Sequence, residues 1–316
     1  MAERKRGCLG CSFPILIGVA VIFVALFVIG FLAGPIGKNM IGDVGLPSWL
    51  NVPRPEPHLP APEVFNLFGL PITNTIIASW FTVVVVALFC FIVSRRMKIV
   101  PGKVQAAFEF LLGWVYELCQ GIAGEENGRR FFPFVTTIFL FVAFNAWLSL
   151  IPGFGSIEIG HHELIRGANT DVNTTLALAL VAFVFIEYHG LRTLGIRYLG
   201  KFLNFGQFFR SVGQIFRGRL KAGLSGLFSG AIDIFVGGLE ALSEFIRIIS
   251  FTFRLFGNMT AGEILLLIAA FLIPWILALP FYGLEMLVGF VQALIFSGLT
   301  LVFVTMAVTP HEAEAH

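Results

Sequence analysis

The chain has 316 residues, 57% of them hydrophobic and only 13% charged, with a formal net charge of +2 and a mean hydropathy of +0.88. A soluble domain carries roughly twice that share of charge, so a water-soluble globular fold is excluded, and the near-neutral balance gives no basis for a nucleic-acid partner. Several apolar runs reach the roughly 20 residues that cross a bilayer as a helix, whereas short alternating segments of barrel type are absent. The expectation is an all-α polytopic membrane protein with about six hydrophobic helices.

The first apolar run, Phe13 to Gly34, follows the basic "ERKR". It is long for a signal peptide and Pro35 spoils a cleavage site, so residues 1–34 read as an uncleaved extra transmembrane helix. Residues 35–72 follow as a Pro-rich external segment, extended in "LPSWLNVPRPEPHLPAPEV". The second span is Thr73 to Ser94, closed by "RRMK". From 102 to 130, Phe108, Leu111, Leu112, Val115 and Leu118 recur at helical spacing among polar residues, the pattern of an amphipathic helix on the membrane surface. The third span is Phe131 to Pro152. Asp171 opens the fourth, to about His189, with "TDVNTT" as its N-cap.

A basic segment, 192–221, leads into the last two elements. Ser225 to Leu272 runs without a strong break, about twice the length of a perpendicular span, and so is expected to tilt strongly or break. Pro274 and Pro280 then punctuate the chain before the sixth span, Pro280 to Val308. Together, 225–308 form a long, strongly tilted C-terminal helical hairpin within a domain spanning 73–316. With the N-terminus in the cytoplasm, only Lys38, Arg54 and Arg166 fall outside, while Arg247 and Arg254 lie in the membrane. The positive-inside rule selects this topology and puts both termini in the cytoplasm.

The fifth element carries charge that lipid would not tolerate. At about 100° per residue, Asp233, Glu244, Arg247, Arg254 and Asn258 all fall within about 40° of Glu240. Phe251 interrupts this stripe, which is about 27 Å long from Glu240 to Asn258 at 1.5 Å per residue. Each intramembrane charge costs a few kcal/mol or more against lipid, so the stripe faces protein or water. Glu263 lies on another face. A turn near Ile273 and Pro274 levels residues whose numbers add to about 547, which sets Arg254 beside Gln292 and Glu263 beside Glu285. Two carboxyls at one depth suit a shared proton, a relay-like arrangement. A guanidinium keeps its charge and serves instead as a fixed positive group.

Plainer roles stand beside these. Arg247 with Glu244 suits an intrahelical pair, Arg254 an ion pair with Glu240 or Glu244, and Asn258 helix–helix glue. Glu263 and Glu285 could be two separate snorkelling groups. "GLFSG", Gly226 to Gly230, is a weak packing motif. Cys8 and Cys11 form one C-x-x-C without a second ligand pair, Cys90 and Cys119 are scattered, and His161, His162 and Glu163 lack a fourth ligand, so no metal or other cofactor is expected. No G-x-x-x-x-G-K-[ST] occurs, so nucleotide must bind on another chain.

The run "SFTFRLFGNMTAGE", Ser250 to Glu263, closely resembles the signature of the F-type ATP synthase subunit a family: Arg254, Leu255 and Asn258, then Ala261, Gly262 and Glu263. The resemblance extends over about 60–308. "FNAWLSLIPGF" is similar to the family's Asn-containing helix ending in a Pro-Gly turn, "TDVNTTLALAL" to the start of the next, and "QALIFSGLTLVF" to the last, with Gln292 at its glutamine. The resemblance implies a non-catalytic, proton-translocating stator subunit whose hairpin lies against a rotating ring of c subunits, with two offset half-channels. Partners implied are the c-ring, b-type peripheral stalk subunits, the remaining ATP synthase subunits and membrane lipid, in a bacterial inner membrane.

By the same mapping Arg254 is the essential fixed charge. Glu263, Glu285 and Asn258 line the outer half-channel, Gln292 lies near Arg254, and Glu240 and Glu244 belong to the cytoplasmic side. Asn145, Asp171 and Asn173 are further channel-lining candidates. Some members carry histidine at the position of Glu285, and some carry an aspartate shortly after Asn145 where this chain has apolar Leu148. The rival reading from the same buried charges is a stand-alone secondary transporter or ion channel; inverted repeats, which would favour it, are not visible. An intramembrane hydrolase lacks a Ser-His, His-Glu or paired-Asp arrangement.

Overall fold

The structure, a computed structural model, describes residues 13–42, 61–67, 69–151, 158–159, 162–163, 166–195, 220–274 and 276–309, with isolated positions 47, 54, 198 and 200. Cys8, Cys11, His161, most of the Pro-rich stretch, nearly all of the basic segment beyond 195 and the polar tail therefore lie outside the described residues. Five of the helices are long and apolar enough to cross a membrane, and the N-terminal bent pair makes a sixth if taken as one span. The chain is a mostly helical polytopic membrane protein.

Helix α1, Phe13–Ala33, and the short α2, Pro35–Ile41, meet at a 72° bend. Proline at the first helical position explains the second start, since its missing N–H is one the helix would leave unpaired anyway. The segment after α1 thus opens with a helical turn. It closes with a small antiparallel ladder, β1 Glu63–Leu67 against β2 Leu70–Thr73, turned at Gly69 with φ +84°. A second ladder pairs β3, Glu158–Ile159, with β4, His162–Glu163. Helix α3 is Asn74–Arg95.

Helix α4 spans Lys103–Ser149 and is broken once, at Gly124, where φ is +80° and ψ 173°. Glycine adopts that backbone without steric cost. The chain folds back so tightly that a Cβ at Gly128 would lie 2.8 Å from the Cys119 carbonyl oxygen. The amphipathic helix therefore ends near 123 and not at 130, and "EENGRR" opens the following span. Helix α5 is Val172–Leu194, ending five residues beyond the expected His189. Helix α6 is Leu220–Leu272, 53 residues or about 80 Å at 1.5 Å per residue. Helix α7 is Ala278–Val308.

The core lies where the second half of α4 meets α5, the middle of α6 and α7. Phe131, Phe139, Ile186, Leu255, Phe296 and Leu301 are fully buried there. Glycine allows the closest approach: a Cβ on Gly289 of α7 would stand 2.7 Å from the Ala146 Cβ of α4. Next to it Phe290 stacks between Trp114 and Trp147, and the Trp147 indole donates to the Met286 carbonyl at 3.1 Å.

Helices α6 and α7 pack antiparallel. Phe251 meets Phe296 with ring centroids 5.0 Å apart, and the Glu285 carboxyl lies over Gly262. Both pairs have numbers that add to 547, the register expected of the hairpin.

Candidate functional site: a polar seam along the hairpin

The polar face of α6 is turned toward α5 and α7. Its N-terminal part holds half-buried Asp233 and Glu240, then Glu244, which is 5% exposed and paired with Arg247 one turn later. The Arg247 guanidinium also lies over the Phe303 ring, 3.8 Å from its centroid. A cation held by a carboxylate and an aromatic face is a stable intramembrane arrangement. The interrupting Phe251 is buried between Phe296 and Phe303. The opposite face, with Leu242, Phe245, Ile249 and Phe253, is apolar and exposed.

Arg254 differs from Arg247. Among the described residues its hydrogen-bonding partner is the Ser250 hydroxyl, at 3.4 Å, on a half-exposed surface. Gln292, expected beside Arg254, instead accepts from Asn258 Nδ2 at 2.7 Å, one turn further along α6. The Gln292 residue is 1% exposed, and its Nε2 is buried without a partner among the described residues.

The other end of the seam brings together α6, α7 and the loop before α5. Glu285 is buried on α7 with its carboxyl over Gly262, so closely that a Cβ there would lie 2.0 Å from Oε1. The neighbouring Glu263 does not pair with Glu285, as the register alone suggests. Its carboxylate is taken by Arg166: Nε donates at 3.0 Å to Oε1 and 3.2 Å to Oε2, and Nη2 donates at 2.9 Å to Oε2. Arg166 comes from the loop before α5, which the positive-inside reading left outside as an ordinary external charge.

That loop is tied down on both sides. The Ala168 N–H donates to Asn145 Oδ1 at 3.1 Å within a turn of 3₁₀ helix, Ala168–Thr170. Asp171 caps α5 by accepting from the Asn173 N–H at 2.9 Å and accepts from the Thr75 hydroxyl at 2.7 Å. Asn145 and Asp171 are thus buried in the site, whereas the Asn173 side chain is exposed and contributes its backbone N–H.

Several polar atoms of α4, α6 and this loop are buried without a hydrogen-bonding partner among the described residues: Asn145 Nδ2, both amide atoms of Asn169, and Thr260 Oγ1. Buried polar groups are normally satisfied by protein or ordered water. Such atoms on the loop that carries Arg166, and on α4 and α6, suit a hydrated recess rather than a dry core. Sequence reasoning missed Arg166 and Asn169. The available signal was the polar "RGANTD" between two apolar spans, read only as a loop with a cap.

Comparison with known proteins places these features in a family. Residues 76–305 match the family described as ATP synthase A chain. Two similar proteins are named ATP synthase subunit a. One, from Helicobacter pylori, is 30% identical over 256 residues, covering 80% of this chain and 99% of the relative. The other, from Moorella thermoacetica, is 27% identical over 255 residues with the same coverage. The match takes in nearly all of α3 to α7, with Arg166, Arg247, Arg254 and the glutamates of the seam, and the chain belongs to the ATP synthase A chain family.

Proposed function

We propose that this chain is the proton-conducting stator subunit of an F-type ATP synthase, holding two offset half-channels against a rotating c-ring and coupling proton flow to rotation and ATP synthesis. It performs no bond chemistry itself. The c-ring, the b-type peripheral stalk and the other synthase subunits are its partners, in a bacterial inner membrane with both termini cytoplasmic.

The observation that carries this reading is the contrast between the two arginines of α6. Arg247 is satisfied within the chain by Glu244 and Phe303. Arg254 has a single long contact to Ser250 among the described residues. A guanidinium never gives up its proton under biological conditions, and an intramembrane charge needs a counter-charge or water. A carboxylate passing on a neighbouring chain supplies that counter-charge, and the fixed positive group then admits only ionised sites and blocks direct leakage between the half-channels. Glu285 and Glu263, with Asn258 and the hydrated recess around Asn145, form the outer route, while Glu240 and Glu244 lie on the cytoplasmic route.

The test is Arg254→Ala in the assembled complex. The complex should be recovered intact, and ATP-driven proton pumping into inverted membrane vesicles should be lost. Pumping at the wild-type rate would overturn the reading.

A further inference from the structure

We infer that Arg166 is a positioning residue on the outer ion route, fixing the Glu263 carboxylate in one orientation beside Glu285; this rests on the reading of Glu263 given above. Exposed single ion pairs contribute little, but this pair is of another kind. Arg166 is 8% exposed, and its guanidinium engages both oxygens of Glu263 in a fork. A fork fixes the rotation of a carboxylate as well as its distance. The guanidinium is itself held by anchored backbone: Ala168 hangs on Asn145, and Asp171 is tied to Thr75. The two partners are 97 positions apart in sequence, so neither local helix geometry nor chain proximity produces the contact.

The orientation has a consequence for transfer. The Glu263 side chain keeps 30% of its surface exposed, while Glu285 is buried over the adjacent Gly262. Arg166 thus leaves Glu263 partly exposed on one side, with the Glu285 carboxyl of α7 seated over the adjacent Gly262. Misplacing a reacting group by an ångström is enough to cost about a hundredfold in rate, so losing the fork should slow transfer without removing the carboxyl that performs it.

Four variants of the assembled complex decide the matter by proton-driven ATP synthesis in vesicles. Glu263→Gln should abolish or strongly reduce flow. Arg166→Gln should reduce it roughly tenfold, and Arg166→Lys should recover part of that loss, since an ammonium supplies charge but no planar fork. The exchange Arg166→Glu with Glu263→Arg should restore assembly but not flow. Wild-type flow in Arg166→Gln beside an impaired Glu263→Gln overturns the role of Arg166 alone. Wild-type flow in Glu263→Gln overturns the reading of Glu263 itself. Full flow in the exchanged pair makes the ion pair purely structural and overturns the inference, including where Arg166→Gln fails to assemble.

A separate observation concerns the N-terminal helices, which precede the matched region. We infer that α1 and α2 form a clasp on the turn of the stator hairpin. The space of a Cβ on Gly30 is held by the Pro274 carbonyl oxygen at 2.4 Å, and that of Gly34 by the Leu272 carbonyl oxygen at 2.2 Å. Small residues four apart let backbones touch in membranes, and here they seat the end of α6. Ala33 and Ile273 are buried in the same contact. Replacing Gly30 and Gly34 by Leu in the assembled complex should speed backbone hydrogen exchange over 269–279 about tenfold. Gly18→Leu, where nothing lies within 4 Å, should leave exchange unchanged. Unchanged exchange in the double variant would overturn the clasp.

Discussion

Asn258 donates its amide to Gln292 at 2.7 Å and so ties the two long hairpin helices together one turn beyond Arg254. The bond fixes where Arg254 sits relative to α7, because α6 and α7 cannot slide without breaking it. Interhelical hydrogen bonds in membranes contribute about 0.6 kcal/mol on average and up to about 1.7. Asn258→Leu and Gln292→Leu should each leave the complex assembled, lower its thermal stability by no more than a few degrees, and reduce proton flow several-fold. A double variant no worse than either single one, measured by ATP-driven pumping, would show the two side chains acting as one unit.

Gly262→Ala should act on Glu285 without unfolding the hairpin. The atoms it would strike are the far end of a flexible side chain, the Glu285 carboxyl, at 2.0 to 2.1 Å. The carboxyl must swing away, which costs a rotamer change of about 1 kcal/mol. Assembly should be retained and proton flow reduced, and the loss should not grow when Glu285→Gln is added. A complex that pumps normally would show that the seated position of Glu285 is unimportant.

Gly289→Ala should be the opposite case. Its Cβ would meet the Ala146 Cβ at 2.7 Å, between two packed helices with no flexible end to yield. Overpacking of this kind costs roughly 1–3 kcal/mol. The midpoint of thermal disassembly should fall clearly, with α4 and α7 pushed apart and the Phe290 stack between Trp114 and Trp147 disturbed. Tryptophan fluorescence is the direct measure of that stack.

Tyr198 lies beyond the end of α5, 3% exposed, and donates its hydroxyl to Glu187 Oε1 at 3.1 Å over Gly190. Burial first, and then the neighbouring Glu187 carboxylate, push its phenol above the usual tyrosine range. With the folded value raised, this residue's contribution to stability is fully present below about pH 10, where an unfolded tyrosine ionises, and is lost as pH rises further. Tyr198→Phe should therefore remove part of the loss of stability seen above about pH 10, read as the midpoint of thermal disassembly against pH. It should also cost about 1 kcal/mol at neutral pH through the missing hydrogen bond.

The hairpin was legible because charge in an apolar run is conspicuous and antiparallel helices obey simple arithmetic. Phe251 with Phe296 and Gly262 with Glu285 fall on the expected register. The pairing of individual polar groups was less legible, since register gives depth but not the direction of a side chain: Gln292 reaches Asn258 rather than Arg254. Arg166 was hidden for a different reason. No periodicity links a loop to a helix 97 positions away, and its anchoring depends on Asn145 and Thr75 from two further helices. The turn at α2 carries no apolar pattern of its own, and Gly37 is where α2 packs on the Phe31 carbonyl. Gly124 likewise sits in a polar run where the end of one helix and the start of the next look alike.

Helix α6 continues unbroken for 53 residues, and Arg254 is not at either of its ends. On one side the rod is pinned by Arg247 against Phe303, on the other by Glu263 against Arg166. These two pins are about 24 Å apart at 1.5 Å per residue, and Arg254 lies between them. A sideways push on its guanidinium is therefore borne as by a plank resting on two trestles, not as by a springboard fixed at one end. For a slender beam the deflection grows with the cube of the unsupported length, so the short bay between the pins yields far less to such a push than the same rod held at one end alone.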